Sequence, residues 1–309
     1  MMDKSKLLVI GSTNTDMVVE ASSLPVPGQT VLGGSFRMTP GGKGANQAVA
    51  AARNGADVTF ITALGDDNLG TESLARFSRE GINTSHISIK HGVPTGVALI
   101  LIDAQGENMI AVAPGANGEL QPDDLVKAAP AFYGTKLLIM QLEIPLSSVI
   151  WAAEYAKKLG CPVLLNPAPM PPEGLPEELL QHVDVLTPNE GELMGLAPGS
   201  SSLEAAAASV LARGPKTLVV TRGRHGATVF TNDGSFHVPA FPITAVDTVG
   251  AGDCFSASLG VALAEGKALN DAVKFAAAAA ALSTTVHGAQ SAMPTREMVE
   301  QFITSAGTF

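Results

Sequence analysis

The chain has 309 residues, of which 46% are hydrophobic and only 16% charged. That balance excludes a disordered polymer and suits one large domain with its own core. The net charge of −10 argues against a nucleic-acid partner, which needs a basic face to neutralise phosphates. It leaves room for a small anionic ligand held by local backbone amides. The two cysteines, Cys161 and Cys254, match no metal-ligand spacing and no disulfide framework, so a reducing compartment is expected. The apolar run at 7–10 is too short for a signal-peptide core, and no stretch is long enough to span a bilayer. The expectation is a cytoplasmic protein that does not engage a membrane.

Short β-branched runs alternate with alanine-rich runs along the chain. Residues 7–11 read as a buried strand. Residues 44–54 read as a helix, with Gly55 at the position of a C-terminal cap. A strand at 58–62 and a helix at 70–79 follow. Further strands are expected at 136–141, 162–166, 183–187 and 217–221, and further helices at 146–159, 201–212, 252–264 and 270–284. This alternation predicts an α/β fold: a doubly wound, mostly parallel sheet with helices on both faces.

Two stretches break the rhythm. Residues 14–38 and 92–114 lack helical periodicity and are rich in Val, Thr, Gly and Pro. The second reads as a strand over 95–102 followed by a turn at 103–106. Together they predict a small β-sheet lid on a single domain covering 1–309. Ligands of open parallel sheets bind beyond the carboxyl ends of the strands. Polar residues collect there: Asn14 and Asp16 after the first strand, Gln141 and Glu143 after 136–141, then Asn166, Asn189 to Glu192, and the loop from Thr221 to Gly226.

Two segments carry chemistry. In Asp247-Thr248-Val249-Gly250-Ala251-Gly252-Asp253, small residues let the backbone approach a ligand, and the following helix start offers free amides and the positive end of a dipole. Such a site stabilises charge on a transferring phosphoryl group. Asp253 beside it is placed to take a proton from an attacking hydroxyl. An Asp at a helix start is ordinarily a cap; the Gly-Ala-Gly before it decides for the functional reading. The second segment is Gly41-Gly42-Lys43-Gly44-Ala45-Asn46. It is not a Walker loop, since Arg37 and Gly44 stand where Gly and Ser or Thr are required. Lys43 among glycines, with Asn46 a turn later, suits hydrogen bonding to a polyol.

These two segments, GGKGANQA and DTVGAGD, resemble the two signatures of the ribokinase-type carbohydrate kinases, also called the phosphofructokinase B family. The resemblance runs over nearly the whole chain, through the stretches at 11–16, 140–143, 166–169, 187–190 and 288–290. GGKGANQA and the MQLE at 140–143 are most similar to family members that phosphorylate D-ribose. The resemblance implies ATP-dependent transfer to ribose, giving ribose 5-phosphate, with Asp253 as general base and Gly250, Ala251 and Gly252 as the anion hole. It implies a sugar site of Asn14, Asp16, Gly42, Lys43, Asn46 and Glu143. It implies a nucleotide site of Asn189, Thr221, Arg222, Gly223, Arg224, His225, Gly226 and Gly252. Glu192 corresponds to an acid linked to Mg²⁺ through water. A monovalent cation, usually K⁺, corresponds to Asp247 and the backbone carbonyls of Val249, Ser283, Val286, Gly288 and Ala292. Members commonly dimerise through the lid, so a homodimer is expected. At Ala277, where some members carry a His near the adenine, this chain has only alanines.

Other readings remain beside this one. A related kinase would act on another sugar, a sugar acid or a nucleoside; a nucleoside would call for an apolar wall near the sugar, for which Phe36 and Phe241 are candidates. A phosphorylated sugar would call for more basic residues than Lys43. A non-catalytic sugar or nucleotide sensor would not need Asp253. A dehydrogenase would need Gly-x-Gly-x-x-Gly after the first strand, and Gly11-Ser12-Thr13-Asn14 does not supply it.

Overall fold

The computed structural model describes residues 4–306; residues 1–3 and 307–309, the ends of the expected 1–309 domain, lie outside the described residues. In chain order the strands are β1 (Lys6–Ile10), β2 (Asn14–Glu20), β3 (Ser35–Gly41), β4 (Asp57–Ile61), β5 (Ala63–Gly65), β6 (Ser88–Lys90), β7 (Gly96–Ile102), β8 (Asn108–Ala113), β9 (Leu137–Met140), β10 (Val163–Leu165), β11 (Val185–Leu186), β12 (Thr217–Thr221), β13 (Ala227–Thr231) and β14 (Gly234–Val238). The helices are α1 (Lys43–Arg53), α2 (Asn68–Arg79), α3 (Pro122–Lys127), α4 (Leu146–Lys158), α5 (Glu177–Leu180), α6 (Glu190–Leu196), α7 (Leu203–Leu211), α8 (Ala251–Ala264), α9 (Leu269–Ser283) and α10 (Arg296–Ser305).

The eight-stranded main sheet runs β14-β13-β12-β11-β10-β9-β1-β4. It is parallel from β12 to β4, and an antiparallel hairpin, β13–β14, closes one edge. The parallel strands are nearly continuous apolar runs because both of their faces are covered. Alternation along each strand divides the core in two. Leu7, Val9, Phe60 and Ile139 point to the face covered by α1, α8 and α9. Leu8, Ile10, Leu138, Met140 and Leu165 point to the face covered by α4 and α7. Each fully buried Leu or Ile contributes about 1.5–3 kcal/mol relative to exposure.

The expected lid is present as a separate four-stranded sheet, β3-β2-β7-β8. β2 pairs parallel with β7 and antiparallel with β3, while β8 pairs antiparallel with β7. The turn at 103–106 closes as expected: Asp103 Oδ1 accepts from the backbone N–H groups of Gln105 and Glu107. Asp67, the N-cap of α2, accepts from the N–H and hydroxyl of Thr95 just before β7, tying the lid to the main body. Element boundaries shift by a residue or two from the expectations, most at β11, which shortens to Val185–Leu186. Sequence reading did not find β13 and β14, joined across Asn232 and Asp233, nor α6 or α10. Among the described residues no helix is long and apolar enough to cross a membrane.

Candidate functional site

The parallel strands all end on one side of the sheet, and the polar residues that follow them converge there. The cleft between them measures about 230 Å³. Lys43, Asn166, Thr187 and Asp253 line one part, and Asn189, Glu192, Thr221, Thr248, Gly250 and Gly252 the other. Of these, Asn166, Thr187 and Thr248 were absent from the expected site set, although Asn166 was noted at its strand end.

Helix α1 delivers the first group. Its N-cap, Gly42, has φ 88°, and a Cβ there would lie 2.6 Å from the backbone nitrogen of Asn14. Only glycine allows this turn so close to the start of β2. The α1 N-terminus is closed by Glu143, whose Oε2 accepts from the Lys43 N–H (2.9 Å) and the Ser12 hydroxyl (2.5 Å). A carboxylate at the positive end of a helix is favourably placed. Glu143 therefore has an organising task besides any ligand contact, and Oε1 is left for one. The Asn14 side chain is oriented by Asn117, whose amide donates to Asn14 Oδ1 (2.7 Å) and to the Thr13 carbonyl. Asn117 carried no signal in the sequence, because only the fold brings it across from the loop after β8.

Asp253 sits in the first turn of α8 but does not cap it. The cap is Gly250, in the left-handed region at φ 77°. Asp253 is instead directed at α1: Asn46 Nδ2 donates to its Oδ2 (2.9 Å) and Gln47 Nε2 to its Oδ1 (3.0 Å). The carboxyl is fully buried, and its pKa is raised by that burial, against which the Lys43 ammonium and the two amide bonds pull downward. Burial also lowers the pKa of Lys43, but Asp253, Glu143 and Glu192 outweigh it and hold the ammonium firmly charged. Asp16, at the start of β2, is raised to about 6 by burial first and by Glu143 and Asp253 second. Asn46 Oδ1 is buried with no partner among the described residues, an acceptor suited to a ligand hydroxyl.

The second group lies where a nucleotide was expected. Asn189 caps α6 in a reciprocal box with Glu192: Glu192 N–H donates to Asn189 Oδ1 and Asn189 N–H to Glu192 Oε2, both at 2.8 Å. Glu192 is thus more than a solvated helix residue, and burial raises its pKa. Thr221 lines the cleft, and Arg222, Arg224 and His225 do not. They line a separate recess of about 410 Å³ with His237, Pro239 and Ala240. Arg222 is also ion-paired with Glu190 at 2.8 Å. Gly223 and Gly226 shape the turn between, at φ 52° and 80°.

Asp247 ties two loops together. Its Oδ1 accepts from the Val249 N–H (3.0 Å) and its Oδ2 from the Gly288 N–H (2.9 Å). Val249, Val286 and Gly288 lie on those loops; Ser283 ends α9 and Ala292 lies in the turn that follows. A Cβ on Gly250 would come within 3.0 Å of the Ala289 Cβ. Gly250→Ala is accordingly expected to lower kcat by about 10–10²-fold by displacing the amides of the loop. It should also cost about 1–2 kcal/mol for the left-handed backbone. Steady-state kinetics and a melting curve check both; full activity with unchanged stability would show that the loop tolerates a side chain.

Known proteins bear on this geometry. The pfkB family carbohydrate kinase pattern matches residues 4–296. The chain is 40% identical over 307 residues to a ribokinase of Haemophilus influenzae, covering 98% of this chain and 100% of that protein. It is 41% identical to a ribokinase of Bacillus subtilis, over 96% of this chain and 99% of that one. Among solved structures, Arabidopsis thaliana ribokinase complexed with ribose and ATP superposes with a TM-score of 0.87 at 33% identity, covering 97% of this chain and 99% of that one. With the signature segments assembled around one cleft, these matches establish that the chain belongs to the pfkB family of carbohydrate kinases.

Proposed function

We propose that the chain transfers the γ-phosphoryl group of ATP to the 5-hydroxyl of D-ribose, within one domain spanning 1–309. The observation that carries this reading is the buried Asp253 carboxylate, held by two amides of α1 at the mouth of α8. The named relatives and the ribose and ATP bound by the Arabidopsis protein support it. Asn14, Asp16, Gly42, Lys43, Asn46 and Glu143 hold the sugar. Their mixture of acceptors and donors matches a polyol, and three carboxylates beside one ammonium disfavour a phosphorylated sugar. A nucleoside is disfavoured too. Phe36 projects from the lid face opposite Asp16, and Phe241 packs on Phe302 with ring centres 5.3 Å apart.

Asp253 takes the proton of the hydroxyl as its oxygen bonds to the γ-phosphorus and the bond to the ADP oxygen breaks. The amides around Gly250, Ala251 and Gly252, with the α8 dipole behind them, stabilise charge on the transferring group. Asn189, Thr221 and the turn at 222–226 hold the nucleotide. Mg²⁺ bound to the nucleotide phosphates would neutralise their charge; Glu192, with Oε2 committed to its helix cap, keeps Oε1 for a metal-bound water. The carbonyl-rich loops joined by Asp247 fit a monovalent cation such as K⁺, since neutral oxygens with one carboxylate compensate a single charge.

The lid supports a homodimer. Strand alternation puts Met17, Val19, Phe36, Met38, Leu99 and Met109 on one uncharged face, where Phe36, Leu99 and Met109 are more than half exposed. An identical face on a second copy complements it; a monomer in sedimentation at micromolar concentration overturns this.

The test of the reaction is ADP release with MgATP and a panel of free pentoses, 2-deoxyribose, hexoses and nucleosides, with and without K⁺. Ribose-dependent turnover that K⁺ stimulates and chelation abolishes is expected. Turnover on another sugar would reassign the substrate; binding of sugar and ATP without any turnover would favour a sensor.

A further inference from the structure

We propose that Gln47, oriented by Gln141, is a positioning residue for the reaction: a directed chain of side-chain amides that fixes the rotamer of Asp253 and presents its carboxylate to the acceptor hydroxyl. The inference rests on the reading of Asp253 as the base. Neither glutamine was assigned a role in the expected site, although Gln141 stood among the polar residues at the strand ends.

The chain has one sense. Gln141, fully buried beyond β9, donates from Nε2 to Gln47 Oε1 at 2.6 Å. Gln47, fully buried in the first turns of α1, donates from Nε2 to Asp253 Oδ1 at 3.0 Å and to Asn166 Oδ1 at 3.3 Å. Asn166 passes its own Nδ2 to the Thr187 carbonyl at 3.0 Å. An ionised carboxylate only accepts, so Gln47 must turn its NH₂ toward Asp253 and its oxygen away. That oxygen then needs a donor, and Gln141 supplies it. Gln141 Oε1 is buried without a partner among the described residues. The space it fills is reserved: a Cβ on Gly11 would overlap this oxygen.

Asn46 completes the grip. It holds Oδ2 as Gln47 holds Oδ1, so both carboxylate oxygens have a donor from one rigid helix. Asn46 also faces the sugar through Oδ1, so its bond to Asp253 is shared with ligand binding. Gln47 is committed to Asp253 and the network behind it. The charged groups around this carboxylate are Lys43 on α1, Asp16 on β2, Glu143 after β9 and Glu192 on α6. Loss of the Gln47 donor leaves Asn46 and one ammonium against three acids, so the carboxyl should bind its proton more readily.

The experiment uses the full chain. Gln47→Met removes the donor at similar volume, and Gln141→Met removes the residue that orients it. Both are expected to lower kcat by about 10–10²-fold while ribose KM stays within about 3-fold, and to move the acidic limb of the kcat profile upward by about one pH unit. The effect of Gln141→Met is expected to vanish in the Gln47→Met background, since the two act through one chain. An unmoved acidic limb in Gln47→Met, or fully additive effects in the double variant, overturns the proposal. If Gln47→Met does not fold, the isosteric Gln47→Glu carries the same test, because an oxygen in place of the NH₂ must also raise the acidic limb; an unmoved limb overturns the proposal here as well. Asp253→Asn separates the two readings. An active Asp253→Asn enzyme would remove the base itself, whereas an inactive one beside a normal Gln47→Met enzyme would remove only the relay.

Discussion

Replacing Asp253 by Asn is expected to lower kcat by about 10²–10⁴-fold, the range of a positioned general base. The loss should fall on the chemical step. Asp253 lies behind the sugar's reacting hydroxyl in this reading, while most of the sugar's hydrogen bonds come from other residues, so ribose KM should move by only a few fold. Single-turnover measurement of ADP formation isolates the step. The fold should survive. The native carboxyl is fully buried with a raised pKa, so a neutral amide of the same shape removes a desolvated charge from the interior. One of the two amides that grip it, Asn46 or Gln47, would then face an NH₂ and must turn. An Asp253→Asn enzyme within 10-fold of the wild-type kcat would sink the assignment of the base.

Asp16→Asn is expected to move stability and affinity in opposite directions. The Asp16 pKa is raised from 3.8 to about 6, chiefly by burial and then by Glu143 and Asp253. A raised carboxyl binds its proton more tightly in the folded chain than in the unfolded one. Its contribution to stability is therefore present below pH 3.8 and is lost as pH climbs to about 6. Above that window the Asn variant should be more stable than wild type by about 1–3 kcal/mol, with little difference near pH 4. The sugar loses an ionic acceptor, and ribose KM should rise by about 10–10²-fold. In the wild type the same titration should raise ribose KM as pH falls through about 6, a dependence that the variant should lack. Thermal melts and kinetics over pH 4–8 check both; a variant less stable at neutral pH would mean that Asp16 is held by the fold rather than for the ligand.

The parallel sheet was legible because burial on both faces forces apolar runs, and runs such as 7–11 and 217–221 admit no other strand pattern. The lid was legible from its lack of helical period. The β13–β14 hairpin was missed although Asp233-Gly234 is a turn signal, since β14 opens on Gly234 and Ser235 and holds a single β-branched residue, Val238, too weak a strand pattern to read. Helix α6 was missed because its Asn189 and Glu192 were read as ligands; they are also its cap. The chemical groups of the site were legible where the residue type itself is the signal, as with Asp253 after Gly-Ala-Gly. Gln141 was noted at its strand end, but the roles of Gln47, Gln141 and Asn117 were not legible, because a buried amide has meaning only through partners, here 94, 206 and 104 positions away. The placement of Arg224 and His225 outside the central cleft was hidden for a different reason. The sense in which a glycine-bounded turn points its side chains is set by backbone angles.

The lid is a single layer. Its strands leave the main body beside Asn14, Gly41 and Gly96, which lie across from one another in the first register of the sheet. One face carries Asp16 toward the cleft, and the other is the uncharged row of Met17, Met38 and Leu99. Such a sheet has no interior of its own, so it cannot bury its apolar side chains by folding more tightly. Whatever order it has beyond the backbone ladders must come from what lies against it: ligand on one side, another surface on the other. A change on either face is transmitted through one residue's thickness of protein, which makes the lid a membrane between two kinds of contact rather than a cover for one.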